Sequence, residues 1–114
     1  VAIFDLVEMR AKTGISHRAL RPVMGIVDPE NTGTLPKRVV ACSGLDVLSH
    51  GLESYTALPF GRRPAPDNPG LRPGYQGSNP ISDIWAVRAI AMVSQNIVRA
   101  VHDPADEDAR GNML

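Results

Sequence analysis

The placement of proline constrains this chain more than any other feature. Prolines stand at positions 22, 29 and 36, then at 59, 64, 66, 69 and 73, and finally at 80 and 104. Proline lacks a backbone donor and clashes with the preceding turn, so it is kept out of helix interiors and central strands. Two long windows are free of it, 37–58 and 81–103, and both are mainly apolar. The spacing predicts two long helices joined by a loop. The first starts after Thr34-Leu35-Pro36, with Pro36 tolerated in the first turn, and runs to about Leu58. The second opens with Asn79 as N-cap and Pro80 as first residue. Ile81, Ile84, Trp85, Ala89, Met92, Val93, Ile97 and Val101 recur at helical spacing and form its expected core stripe. Asp103-Pro104 repeats the cap-and-proline start, with Asp106 and Glu107 placed favourably in the first turn.

Between the helices, residues 59–79 carry five prolines and four glycines and are expected to be a loop. Irregular loops of this length are often functional, although a simple solvated excursion reads equally well. Upstream, residues 1–12 (VAIFDLVEMRAK) read as the end of a helix, with Gly14 in the left-handed position that follows one. Residues 21–28 (RPVMGIVD) read as a short apolar strand, and 28–36 (DPENTGTLP) as a turn-rich connection.

The chain has 114 residues, enough for one small domain. Twelve Lys and Arg balance twelve Asp and Glu, so no basic surface points to nucleic acid. A single cysteine, Cys42, excludes an internal disulfide and reads as a small buried hydrophobe. No stretch holds eighteen uninterrupted apolar residues, and no membrane span is expected. The start at Val1 and the helix begun in DEDARGNML point to an internal fragment. Ten Arg against two Lys is a coding bias that points to a bacterial cytoplasm.

Chemistry concentrates in GLDVLSHGLESY, residues 44–55. Between Val39 and Gly61 the only formal charges are Asp46 and Glu53, so this helix is expected to be buried nearly all round. At 100° per residue, Asp46 and His50 lie about 40° apart on one face, and Glu53 lies about 20° to the other side of Asp46. An Asp and a His four residues apart can share one divalent cation, and carboxylate plus imidazole suits zinc or ferrous iron. An ordinary Asp46–His50 hydrogen bond is the plain alternative. Burial favours the cation, because an uncompensated carboxylate in an apolar helix costs several kcal/mol. Glu53 is a structural partner or an acceptor behind the ligands. Ser43, Ser49 and Ala57 flank the stripe, and Gly44 and Gly51 leave the backbone open to close approach. His17 and His102 sit in a loop and near a helix end and are weaker candidates.

The stretch DPENTGTLPKRVVACSGLDVLSHGLESYTALP resembles the segment that joins the two domains of iron-containing (group III) alcohol dehydrogenases. Its marks are Asp28-Pro29, Pro36 ten residues before Asp46, the Asp46/His50 pair, and Glu53. The long loop with RPAPDNPGLRPGYQGSNPISDIWA is similar to the branch of that family that exchanges hydride between a hydroxy acid and an oxo acid. The resemblance implies a mainly α fragment with the dehydroquinate synthase-like fold. Residues 1–35 would end an α/β dinucleotide-binding domain, and residues 36–114 would begin an all-helical metal-binding domain. It implies a divalent metal, iron(II) or zinc, on Asp46 and His50 with two further histidines beyond Leu114. It also implies NAD, with Asn31 as a cofactor-binding candidate and the glycine-rich turn before Val1. The expected substrates are 4-hydroxybutyrate and 2-oxoglutarate, and Arg62, Arg63 and Arg72 are candidates to hold substrate carboxylates. A plain NAD-dependent alcohol dehydrogenase and an inert helical piece are the alternatives. No nucleic-acid or membrane partner is expected, the intact protein is expected to be a homo-oligomer, and the mitochondrial matrix is the alternative compartment.

Overall fold

A computed structural model describes residues 2–72, 74 and 77–114. Both proline-free windows are helical: α1 spans Lys37–Thr56 and α2 spans Pro80–His102. Pro36 precedes α1 in an extended conformation, and α1 stops with Ala57 extended, just ahead of Leu58-Pro59. The expected cap of α2 is in place. Asn79 Oδ1 accepts from the amides of Ile81 and Ser82, each at 3.1 Å. At 23 residues, α2 is long and apolar enough to cross a membrane by length and composition alone, a property shared by core helices of soluble proteins.

The third helix, α3, spans Glu107–Gly111 and starts three residues later than Asp103-Pro104 predicted. Asp103 instead ends α2, its amide bonded to the Arg99 carbonyl, and its side chain takes the Ala105 amide in a local turn. Asp106 is the cap: it accepts from the Ala109 amide at 2.9 Å and takes two bonds from the Arg99 guanidinium at 2.8 and 2.9 Å. The Ala109 amide and the Arg99 charge hold the Asp106 carboxyl below its ordinary range, against an opposing effect of desolvation.

α1 and α2 pack antiparallel, because Gly44 faces Ile97 while Gly51 faces Ile90 and the Ala86 carbonyl. The approach is close: a methyl added at Gly51 would stand 3.0 Å from Ile90 Cγ1. The buried stripe consists of Val40, Gly44 and Gly51 on α1 and Ala86, Val93, Asn96 and Ala100 on α2. Val40, Ala100 and Ala109 form the apolar centre, with Leu35, Val101 and Met113 packed around it. Two expectations are corrected here. α1 is not buried all round; only one face meets α2. The expected core stripe of α2 holds along its later turns, where Val93 is buried and Ala89, Met92, Ile97 and Val101 are half-buried, and fails in the first turns. Ile81, Ile84 and Trp85 are 76%, 68% and 70% exposed. Gly44 and Gly51 leave room on α1 for the Ile97 and Ile90 side chains of α2, so the fit across the pair sets which residues are covered. Cys42 is exposed rather than buried.

The connecting loop contains two short 3-10 turns, Phe60–Arg62 and Pro69–Leu71. Its ends are drawn together by the Phe60 amide on the Ser78 carbonyl at 3.0 Å. Gly77 sits at φ +93°, and a Cβ there would collide with the Leu58 carbonyl, so the closure requires glycine.

The N-terminal expectations are also corrected. Residues 2–15 form an antiparallel hairpin, β1 Ala2–Leu6 and β2 Ala11–Ile15, in register from Ala2 opposite Ile15 to Leu6 opposite Ala11. The turn is a 3-10 segment, Val7–Met9, followed by Arg10 at φ 47°, so the left-handed residue is Arg10 and not Gly14. Ile3, Phe4, Thr13 and Ile15 favour the pleated ladder, and a helix this short has little stability of its own. Residues 21–28 form no strand. Val23, Met24, Ile26 and Val27 are all exposed, and no described segment pairs with them. The radius of gyration, 17.0 Å, exceeds the roughly 13 Å of a compact chain of this length.

Candidate functional site

Asp46, His50 and Glu53 project from α1 into solvent, with side chains 73%, 71% and 72% exposed. Their exposure removes the burial reasoning for a cation. What remains is geometry. The His50 ring lies between the two acids, with Nε2 3.6 Å from Asp46 Oδ2 and Nδ1 3.3 Å from Glu53 Oε2. The flanking serines do not compete for the ring, since Ser43 Oγ and Ser49 Oγ bond back to the Val39 and Leu45 carbonyls.

Ligand bonds near 2.0–2.2 Å hold two donors of one tetrahedral ion about 3.4 Å apart. The Asp46–His50 separation of 3.6 Å is close to that spacing. Among the described residues, no group of three or more His, Cys, Asp and Glu side chains is arranged to hold a metal. Asp46 and His50 are thus a neighbouring carboxylate–imidazole pair on one exposed face of α1. His17 has a turn role instead, its Nδ1 accepting from the Ala19 amide at 3.1 Å, and His102 ends α2 exposed.

Two of the three candidate arginines come together. Arg63 and Arg72 line a cleft of about 660 Å³ with Phe60, Pro64, Asn79 and Ile81, whereas Arg62 does not line it. The cleft sits where the loop meets the start of α2, and none of Asp46, His50 and Glu53 lines it. Asn31 lies on the turn Pro29–Thr32, exposed, with its Nδ2 donating to Asp28 Oδ2 at 3.1 Å. Asp28 caps that turn by accepting from the Glu30 amide.

One residue of consequence carries no sequence signal. Arg110 is 4% exposed. Its Nε donates to the Ala100 carbonyl at 2.8 Å and one terminal nitrogen donates to the Thr32 carbonyl at 2.6 Å. It therefore fastens the Asn31-bearing turn to the ends of α2 and α3, across 78 positions of sequence. Only the tertiary fold reveals this, because an Arg in the last turn of a helix ordinarily reads as a surface complement to the dipole.

No family model matches the chain. It is similar along nearly its whole length to hydroxyacid-oxoacid transhydrogenase. The mitochondrial enzyme of Xenopus laevis is 57% identical over 111 residues, 96% of this chain. Those of Bos taurus and Homo sapiens are 56% and 54% identical over 114 residues, 99% of this chain. The chain spans about a quarter of the length of these curated relatives, 24% in each case.

Proposed function

We propose that these residues are part of a longer metal-dependent oxidoreductase, a hydroxyacid-oxoacid transhydrogenase of the iron-containing alcohol dehydrogenase family. The observation that carries the reading is 54–57% identity through almost the entire chain, including the segment with the neighbouring Asp46 and His50 side chains. In this reading Asp46 and His50 hold a divalent metal, iron(II) or zinc. When bound, that ion supplies Lewis-acid polarisation of the substrate oxygen. Asp46 offsets part of the ionic charge, and His50 binds as the neutral imidazole, so affinity falls on acidification. Asn31 is the candidate contact to NAD, held in place by the Arg110 bond to Thr32. Arg63 and Arg72 are the better-placed candidates for a substrate carboxylate, since they share one cleft wall with apolar neighbours. The exposed apolar residues Ile81, Ile84, Trp85 and Val98 then meet the remainder of the longer enzyme. The relatives are named mitochondrial, which favours that compartment over the cytoplasmic expectation.

The test is turnover of 4-hydroxybutyrate with 2-oxoglutarate by the intact protein. Activity without added NAD is expected of a transhydrogenase; strict dependence on added NAD would favour the plain alcohol dehydrogenase. Asp46→Ala and His50→Ala are each expected to abolish bound metal and turnover while leaving the helical circular dichroism in place. Stoichiometric metal in either variant would remove that residue from the ligand set.

A further inference from the structure

The two acids beside His50 are not equivalent. Glu53 Oε2 lies 3.3 Å from Nδ1, within hydrogen-bonding distance, while Asp46 Oδ2 lies 3.6 Å from Nε2, just beyond it. A carboxylate has no proton to give, so a hydrogen bond to Glu53 needs the proton on Nδ1. A neutral imidazole carries only one ring proton. Placing it on Nδ1 leaves the Nε2 lone pair free, on the side where Asp46 stands. Spacing on α1 makes this possible: Glu53 is one turn after His50 and Asp46 one turn before it, so the ring is bracketed from both ends.

We propose that Glu53 is a positioning residue for His50: its carboxylate holds the Nδ1–H, fixing the ring tautomer and rotamer that present Nε2 beside Asp46. This rests on the reading that Asp46 and His50 are metal ligands. Ligand histidines that lose such a carboxylate partner typically lose 10–100-fold in metal affinity. Glu53 touches neither substrate nor ion in this account and acts only through the imidazole.

The experiment compares Glu53→Ala and Glu53→Gln in the intact protein. Zinc affinity is measured by competition with a chelator, and the His50 ring nitrogens are read by ¹⁵N NMR in the metal-free protein. The expected wild-type signature is a protonated Nδ1 and an unprotonated Nε2. Glu53→Ala is expected to mix the tautomers and weaken zinc 10–100-fold. Glu53→Gln, whose amide oxygen still accepts from Nδ1, is expected to keep the tautomer and most of the affinity, a rescue that a merely structural role for the charge would not produce. A wild-type ring protonated on Nε2, or zinc affinity in Glu53→Ala within threefold of wild type, overturns the inference. His50→Ala separates the two levels. If it retains zinc, the ligand reading fails and the inference with it; if it loses zinc while Glu53→Ala retains it, only the inference fails.

Discussion

The helical region and the N-terminal stretch of this chain are built from similarly apolar sequence, yet they behave differently. α1 and α2 hold their regular form with only one face in contact. Tyr55, Leu45 and Leu52 on α1 and Ile84 and Trp85 on α2 remain exposed. Residues 21–28 are at least as apolar at Val23, Met24, Ile26 and Val27, and they form nothing regular. A helix satisfies its backbone groups within itself, whereas a strand needs a partner to accept and donate its ladder bonds. Residues 2–15 make the same point from the other side. There the partner strand is five residues away across a tight turn, and a ladder forms even though both strands are exposed.

The sharpest way to break this contrast is to cut the hydrogen-bonded tie that Arg110 makes between the turn before α1 and the helical region. Arg110→Met removes the bonds to Thr32 and Ala100 and leaves two carbonyls short of a charged donor. It is expected to cost about 3 kcal/mol in denaturant unfolding. Protease cutting is expected to rise first within 28–36, the turn that Arg110 fastens. A variant with unchanged stability would mean that the turn holds itself.

A somewhat smaller effect is expected inside the helical region. Gly51→Leu forces a side chain against Ile90 and should cost roughly 1–3 kcal/mol, less the gain in helix propensity. Gly25→Ala, with nothing within 4 Å of the added methyl, is the control and is expected to leave the midpoint in place. Equal midpoints for both variants would show that the two helices are not in close register.

The Arg99–Asp106 pair gives a pH test with a definite sign. The folded Asp106 carboxyl titrates below its ordinary value of 3.8, so its charge contributes stability that is present above that value and fades as pH falls toward the folded one. Asp106→Asn can still cap α3 but lacks the charge. The gap in stability between wild type and this variant is expected to be constant near neutrality and to narrow below about pH 4. A gap that persists unchanged down to pH 2 would assign it to the cap alone. The smallest effect is expected in the unpaired stretch: Ile26→Asp should change the chain's stability by less than about 0.5 kcal/mol. A loss above about 1 kcal/mol would show that this segment is packed after all.

Much of the architecture is local chemistry and was readable residue by residue. Pro36, Pro59 and Pro80 bound the two long helices because proline cannot sit in their interiors, and Asn79 caps α2 because its side chain reaches the first free amides. The common face of Asp46, His50 and Glu53 follows from helical period alone, and the structure adds only the distances. What no local rule reached was the identity of the neighbours. Periodicity identified an apolar stripe on α2 that is covered along its later turns, but fit against α1 decided the rest: Gly51 admits Ile90, which the stripe did not include, while Ile81 and Trp85 stay exposed. The absence of charge on α1 was a poor guide to burial, because burial depends on what packs there and not on hydropathy alone. Strand or no strand at 21–28 depended on a partner, and the reach of Arg110 to Thr32 depended on folding across 78 positions. Helical period, caps and turns are settled within a few residues of chain; contact faces, strand pairing and buried charges are settled by residues far away, and so only in three dimensions.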